Sequence, residues 1–154
     1  MTQLPHAKNH RDLIVYQKAR QLAQDVFILT KTFPKEEMYS LTDQIRRSSR
    51  SVGAQITEAW AKRRYENYFL SKLTDADGEQ HETQHWLEIA YDCNYLTYHQ
   101  LKSLHDRCEE IGRLLNSMMN KSQMFCGRVE NHLREPMVEY FISTPDNNSS
   151  DTDD

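Results

Sequence analysis

The chain has 154 residues, of which 27% are charged and 38% hydrophobic, and its formal net charge is −4. A chain of this length can bury the core of one domain without a structural metal or disulfides. Its three cysteines are widely spaced and odd in number, which argues against a disulfide framework and favours a reducing cytoplasm. The polar N-terminus contains no apolar signal, and no apolar run approaches the roughly 18 residues of a membrane span.

Charged residues and prolines are distributed unevenly along the chain. Residues 1–126 hold 17 Lys and Arg against 16 Asp and Glu, whereas residues 127–154 hold two against seven. The chain ends in STPDNNSSDTDD, which has the composition of a disordered acidic tail. Such a tail either only aids solubility or competes with nucleic acid for a basic surface. No proline lies between Pro34 and Pro136, so helices can run uninterrupted through this stretch.

Apolar residues at helical spacing predict two helices in the first part of the chain. The first covers residues 12–32, with Asp12 as its N-cap and its end at Phe33 and Pro34. Pro34 and the acids after it predict the first turn of a second helix, which runs to about Trp60. The predicted buried positions are Val15, Ala19, Leu22, Val26, Leu29 and Phe33, followed by Leu41, Ile45, Val52, Ile56 and Trp60.

Two further helices follow by the same criterion. The third covers residues 65–94, and the fourth runs from a capping box at Thr97 and Gln100 to about Gln123. Their predicted buried positions are Phe69, Leu73, Ala76, Gln80, Thr83, Leu87 and Tyr91, then Leu101, Leu104, Cys108, Ile111, Leu115 and Met118. Two positions of the third helix, Gln80 and Thr83, are polar, which is unusual for a buried stripe.

Four helices joined by short turns predict an all-α, antiparallel up-down-up-down four-helix bundle. We expect the bundle to cover residues 12–126, after a flexible N-terminus at residues 1–11. Residues 127–154 are expected to be weakly structured at first and then to form the disordered acidic tail.

Several strings of this sequence resemble a known family. They are DLIVYQKARQL from Asp12, TKTFPKEEMYSLTDQIRRS from Thr30 and LEIAYDCNYL from Leu87. Together they look like the four-helix-bundle proteins encoded in intervening sequences of bacterial 23S rRNA genes, with FPKEExYxLTxQIRR as the specific part. The similarity extends over residues 12–120.

The resemblance implies a left-handed antiparallel bundle without enzymatic activity. Relatives include the accessory variability proteins of diversity-generating retroelements and form homopentameric rings, so it also implies a homo-oligomer, RNA or DNA contact, or a protein partner such as a reverse transcriptase. Arg46 and Arg47 match the paired arginines of the family motif, and Glu58 matches its acidic residue. Gly78 and Glu82 match positions on the third helix. The chain departs from the family pattern at Ser48, Ser49, Gly53, Ala59, Gln80 and Thr83.

The second predicted helix is strongly basic. Between Gln44 and Arg64, the single acid Glu58 stands against six cations, which are Arg46, Arg47, Arg50, Lys62, Arg63 and Arg64. Helical projection puts the first three on the outward side, where they form a candidate nucleic-acid surface. Residues 66–92 hold seven acids against one lysine. The alternative is therefore ion pairing of the basic and acidic helices, within the bundle or between subunits.

The sequence His81-Glu82-Thr83-Gln84-His85 matches HExxH, a helical pair of zinc ligands around a general-base glutamate. The best third ligands are Glu109 and Glu110, and the projection puts both histidines on the outward face of the helix. Three interpretations remain open, namely solvated surface histidines, adventitious metal binding by His81 and His85, and a zinc hydrolase. We expect no catalytic residue and no cofactor.

Apolar side chains away from the buried stripes form the last candidate site. Trp86 and Ile89 project off the core face of the third helix, and with Trp60 they predict an oligomer contact. The leading hypothesis is a cytoplasmic, non-enzymatic homo-oligomer that binds RNA or an RNA-associated partner through its basic surface. The alternatives are a purely structural protein-interaction module and, more remotely, the zinc hydrolase.

Overall fold

The computed structural model describes residues 7–127 and contains no strand among them. Its helices are α1 (Ile14–Thr30), α2 (Leu41–Ala61), α3 (Glu66–Asp92) and α4 (Tyr98–Asn120). Each helix packs against the next, and α1 also contacts α4. Since the connections are short, consecutive helices run antiparallel. The predicted all-α four-helix bundle is confirmed, while the predicted acidic tail lies outside the described residues except for Gly127.

The predicted apolar stripes form the core. The most completely buried of their large side chains are Leu22, Val26, Ile45, Ile56, Phe69, Leu73, Leu87, Ile111, Leu115 and Met118. Three positions differ from the prediction. Leu29 and Leu101 are only partly buried, and Tyr91 is exposed because Ala90 takes its place in the core. None of the helices among residues 7–127 has the length and apolar composition needed to cross a bilayer.

The start of α1 differs from the prediction. Asp12 is not its N-cap, because Asn9 caps a 3-10 turn at His10–Asp12 that precedes the helix. The Asp12 carboxylate closes this capping box by accepting hydrogen bonds from the backbone N–H groups of Lys8 and Asn9. Residues 9–11, which the sequence assigns to the flexible N-terminus, therefore belong to a hydrogen-bonded turn.

The start of α2 also differs, since Pro34–Glu37 does not form its first turn. Lys35–Glu37 is a separate 3-10 turn. The Glu37 carboxylate accepts hydrogen bonds from Ser40 Oγ at 2.8 Å and from the Leu41 N–H at 3.2 Å, so it caps α2 from outside. It also accepts one from Tyr95 Oη, which links it to the α3–α4 connection. The hydrogen bond from Ser40 is the main reason that the pKa of Glu37 is lowered.

The α3–α4 connection follows the sequence closely. The predicted Thr97–Gln100 capping box is present, with reciprocal hydrogen bonds of 2.9 and 3.1 Å. Before it, Asn94 adopts a φ of 61°, and the Tyr95 N–H reaches back to the Ala90 carbonyl at 2.9 Å. Asn94 thus adopts the left-handed backbone conformation that glycine usually adopts after the end of a helix.

Polar residues enter the core where α3 meets α2 and α4. The Thr83 hydroxyl oxygen lies 2.9 Å from both Ser48 Oγ and the Glu79 carbonyl oxygen, so the two helices are joined by a hydrogen bond between hydroxyl groups or share its single proton. Gln80, only 2% exposed, donates through Nε2 to Asp77 and accepts through Oε1 from Gln84. Among the residues that depart from the family pattern, Ser48 and Thr83 thus bond each other and Gln80 bonds two residues of its own helix, which removes most of the cost of burying them.

Candidate nucleic-acid interface

The six predicted cations do not form one stripe. Arg46, Arg47 and Arg50 lie in the first half of α2, whereas Lys62–Arg64 follow its last residue. At 1.5 Å per residue, Arg50 and Lys62 are about 18 Å apart along the helix. The only charged residue between them is the acid Glu58. The basic surface consists of two separate groups.

The first group is organised by an aromatic residue of α1. The guanidinium carbons of Arg46 and Arg50 lie 4.8 and 5.3 Å from the centre of the Phe27 ring, and Lys31 Nζ lies 4.8 Å from it. We call Lys31, Arg46 and Arg50, together with Phe27, the Phe27 cluster. Cation–π attraction holds like charges together at one point of the surface.

Hydrogen bonding fixes the orientation of Arg46 within the Phe27 cluster. Arg46 Nε donates to Thr30 Oγ1 at 2.8 Å, and Thr30 Oγ1 in turn donates to the Phe27 carbonyl at 2.9 Å. Thr30 is buried, so this anchor is shielded from water. The guanidinium is therefore attached through one edge, and its two terminal nitrogens make no hydrogen bond to residues 7–127.

Within the part of the chain that the structure describes, the Phe27 cluster has no carboxylate partner. Across residues 7–127, no acid lies within 4.0 Å of the charged nitrogens of its three cations, and Arg47 reaches only Asp43 of its own helix at 3.8 Å. Elsewhere the bundle does pair its charges, as in Arg107–Asp25 at 2.6 Å on the α1–α4 face. The α1–α2 face thus carries uncompensated positive charge.

A shallow groove of about 220 Å³ continues this face between α1 and α2. Its small side chains are Ala19, Ala23, Gly53 and Ala54, and Arg20 and Arg50 line it as well. Arg20 is exposed and forms no ion pair with residues 7–127. Arg20, Phe27 and Lys31 were not predicted from the sequence, in which only the second helix stands out as basic. The available signal was that Phe27 and Lys31 lie one turn apart on the first helix.

The second basic group is tied more closely to the bundle. The Arg63 guanidinium lies 3.5 Å from the centre of the Trp60 ring, and its Nε donates to the Trp60 carbonyl at 2.8 Å. Burial lowers the pKa of Arg63. Lys62 Nζ lies 5.6 Å from the Tyr68 ring centre, and Arg64 is exposed. Arg63 therefore covers the end of the core.

Trp60 offers little surface for the predicted oligomer contact, because it is 8% exposed and packs in the core. Trp86 and Ile89 are partly buried against the core, and Trp86 Nε1 donates to Glu82 Oε1 at 3.1 Å. The large exposed hydrophobic side chains lie elsewhere. They are Ile28, Met38, Tyr39, Tyr65, Tyr68, Tyr91 and Tyr98.

Ion pairing of the α2 cations with the α3 acids within one chain is not found among residues 7–127. The pair that joins these helices has the opposite polarity, since Lys72 Nζ of α3 lies 2.9 Å from Glu58 Oε2 of α2. Its hydrogen bond lowers the pKa of Glu58 and raises that of Lys72. Among residues 7–127, no acid of α3 lies within 4.0 Å of a charged nitrogen of the α2 cations.

The two histidines of HETQH have separate surroundings. His81 Nε2 lies 3.8 Å from Asp77 Oδ2, while the His85 ring packs edge-on against Trp86 with ring centres 4.7 Å apart. Glu109 lines the same open groove as His81, but Glu110 pairs with Lys18 of α1 at 3.0 Å. Of the two proposed third ligands, only Glu109 lies on the histidine side of the bundle.

A second group with metal-ligating side chains lies on the same side. His105, Asp106 and Glu109 place potential ligand atoms within 4.8 Å of one another. His105 Nε2 also lies 3.6 Å from Glu88 Oε1. Lys102 Nζ already neutralises Asp106 at 3.1 Å. These contacts describe a surface ion-pair network in which the acids have cationic or histidine partners.

Comparison with known proteins decides the family. The family model described as 23S rRNA-intervening sequence protein matches residues 11–117. The chain belongs to this family. A solved structure from the S23 ribosomal protein family of Bacteroides thetaiotaomicron, described as a protein with unknown function, is 32% identical. It superposes with a TM-score of 0.64, and the match covers 70% of this chain and 96% of that one. No curated protein matches the chain.

The resemblance stated from the sequence is thereby confirmed, and the structure shows what its motif residues do here. Of the paired arginines of this 23S rRNA-intervening sequence family, Arg46 belongs to the Phe27 cluster and Arg47 points outward. Glu58 holds α3 through Lys72. Glu82 accepts the Trp86 indole N–H. The motif therefore combines residues that stabilise the bundle with one exposed basic surface.

Proposed function

We propose that this protein is a non-enzymatic RNA-binding protein whose Phe27 cluster contacts the phosphates of structured RNA. The observation that supports this proposal best is that three cations surround one ring with no acidic partner among residues 7–127. Gathering like charges costs free energy unless an anion joins them. RNA supplies such anions, and releasing its counterions favours association.

The same surface favours recognition of the RNA backbone over its bases. The charged groups of three cations lie within 5.3 Å of the Phe27 ring centre, so they compete with a base for stacking on this ring. The neighbouring groove is lined mainly by alanine, glycine and arginine, and only Tyr16 and Thr57 add a ring and a hydroxyl that could contact a base. We therefore expect weak sequence preference and binding governed by phosphate position and RNA shape.

A homo-oligomer, as the family resemblance implies, is part of the proposal. Arg20 and Arg47 are exposed, and so are Glu82, Glu88 and Asp92 of α3. These oppositely charged surfaces meet little within one chain, so they are complementary between copies. The exposed tyrosines provide additional apolar area for such a contact. We expect the assembly to act in the cytoplasm.

An RNA-binding titration tests the proposal. A fluorescent RNA stem-loop is titrated with protein at several salt concentrations, using wild type, Arg50→Glu and the matched control Arg113→Glu. Arg113 is exposed on α4 and outside the Phe27 cluster. Three phosphate contacts predict a slope of about −2.7 for log K against log salt, and loss of one cation reduces its magnitude by about 0.9. Salt-independent binding, or equal loss in both variants, contradicts the proposal.

Native mass measurement separates the second candidate, a protein-interaction module in which the charges only hold copies together. In that case Arg47→Glu changes the assembly mass and no variant alters RNA binding. The RNA-binding proposal instead predicts that Arg50→Glu weakens RNA binding in assemblies of unchanged mass. The opposed exposed charges are the observation that favours the second candidate.

A further inference from the structure

We infer that the Phe27 cluster receives a terminal phosphate, that is, a phosphate monoester at the end of an RNA strand. This inference rests on the proposed function and names the part of the RNA that the cluster selects. The feature that carries it is the arrangement of Lys31, Arg46 and Arg50 around a single ring, next to a groove to which Arg20 adds only one further cation.

The number and type of donors fit a monoester. Arg46 uses Nε on Thr30, so its two terminal nitrogens remain as a fork for two oxygens of one phosphate. Arg50 and Lys31 are exposed, and their charged groups lie within about 5 Å of the same ring. A terminal phosphate offers three unbridged oxygens to these donors, whereas a phosphodiester in the chain offers two.

The charge balance favours the same ligand. A phosphate monoester carries about −1.5 to −2 at pH 7 because its second pKa is about 6. A phosphodiester carries −1 and would leave two of the three cations unbalanced at this point. Three cations with no acid of residues 7–127 within ion-pair distance therefore match the monoester more closely.

The surroundings of the Phe27 cluster support binding of the end of an RNA strand. A strand that followed α2 from Arg50 toward Lys62 would meet Arg20 of α1 beside the groove, but over about 18 Å the only charged side chain that α2 itself supplies is Glu58. RNA phosphates recur every few ångströms, so most of them would lack a cation along this path. A site for one phosphate, with the rest of the strand leaving the surface, agrees with this distribution.

The test uses one RNA stem-loop prepared with a 5′-phosphate, with a 3′-phosphate, or with hydroxyl groups at both ends. We expect at least one phosphorylated form to bind about tenfold more tightly than the hydroxyl form, because two or more charge-assisted hydrogen bonds are gained. Arg50→Gln and Lys31→Gln should remove this preference, whereas Arg113→Gln should keep it. Comparing the two phosphorylated forms identifies which end is bound.

Two further measurements make the test specific. Arg46→Lys retains the charge but loses the fork, so it should reduce the preference, and circular dichroism checks that it remains folded. The preference of wild type should also decline as pH falls below about 6, where the monoester takes up its second proton. Titration with inorganic phosphate alone shows whether a free phosphate fills the site.

Each outcome bears on the inference. Equal binding of all three RNAs, still weakened by Arg50→Gln, overturns the terminal-phosphate inference and leaves the proposed function standing. Failure of every RNA to bind overturns both. A preference that survives Arg50→Gln and Lys31→Gln overturns the assignment to this cluster. Binding of inorganic phosphate as tight as that of phosphorylated RNA overturns the assignment to an RNA end.

Discussion

Gly112 allows α4 to approach the buried amide of α3, so replacing it with alanine should destabilise the bundle. A Cβ at this position would lie 2.7 Å from Gln80 Nε2 and 3.2 Å from Asp77 Oδ1. Gln80 cannot move aside freely, because it is 2% exposed and its amide is bonded at both ends, to Asp77 and to Gln84. The substitution therefore displaces a fixed side chain in the core.

The expected magnitude follows from two opposing effects. Alanine favours the helix over glycine by about 1 kcal/mol. Overpacking costs about 1–3 kcal/mol, and each disrupted hydrogen bond of Gln80 adds about 1 kcal/mol. We expect Gly112→Ala to lower the free energy of unfolding by about 1–3 kcal/mol, which corresponds to about 3–5 °C in Tm for each kcal/mol.

Urea denaturation with a matched control measures this effect. Gly78 is also inside a helix, but a Cβ there has nothing within 4 Å, so Gly78→Ala should stabilise the protein by about 1 kcal/mol. In a Gln80→Ala background, Gly112→Ala should become neutral or stabilising, because the Gln80 amide that the new Cβ would clash with is absent. Equal stabilisation by Gly112→Ala and Gly78→Ala would refute this description of the α3–α4 contact.

Three other predictions follow from burial and hydrogen bonding. Trp60→Ala should lower the free energy of unfolding by about 3–5 kcal/mol in a urea melt; a loss below 1 kcal/mol would mean that the side chain is not in the core. A thiol reagent should modify exposed Cys93 quickly, while Cys108, whose pKa burial raises to about 12, reacts only after unfolding; rapid reaction of Cys108 would contradict its placement. Since the folded pKa of Glu37 lies below its ordinary value of 4.5, its contribution to stability is present above that pH and declines as pH falls through the folded pKa. The stability difference between wild type and Glu37→Gln should therefore be largest near pH 7 and shrink in acid, and a difference that grows in acid would contradict the capping role.

Helical periodicity was sufficient to predict the four helices, because each buries one face against its neighbours over many turns. Helical periodicity predicted less well the residues that contact two structural elements. Glu37 looked like a first-turn acid of α2, but it caps that helix from a separate turn and also holds Tyr95. Trp60 was placed both in the buried stripe and in a surface patch. The stripe was the better guide, since the residue lies one turn after Ile56 on the same face.

The candidate site could be predicted only in part. Arg46, Arg47 and Arg50 follow from their projection away from the core of α2. The role of Phe27 does not, because it depends on which face of α1 packs against α2, and that is a property of the tertiary structure. The same limitation applies to the polar core, where Gln80 looked like a defect until its partners were known.

Arginine side-chain NMR tests the central claim most directly, namely that RNA binds at the Phe27 cluster. The Nε–Hε signals of the assembled protein are followed while the RNA stem-loop is added. We predict that the signals of Arg46 and Arg50 shift first and saturate together, while those of Arg107 and Arg113 stay in place. Shifts confined to Arg113, or an unchanged pair at Arg46 and Arg50 despite RNA binding, would contradict it.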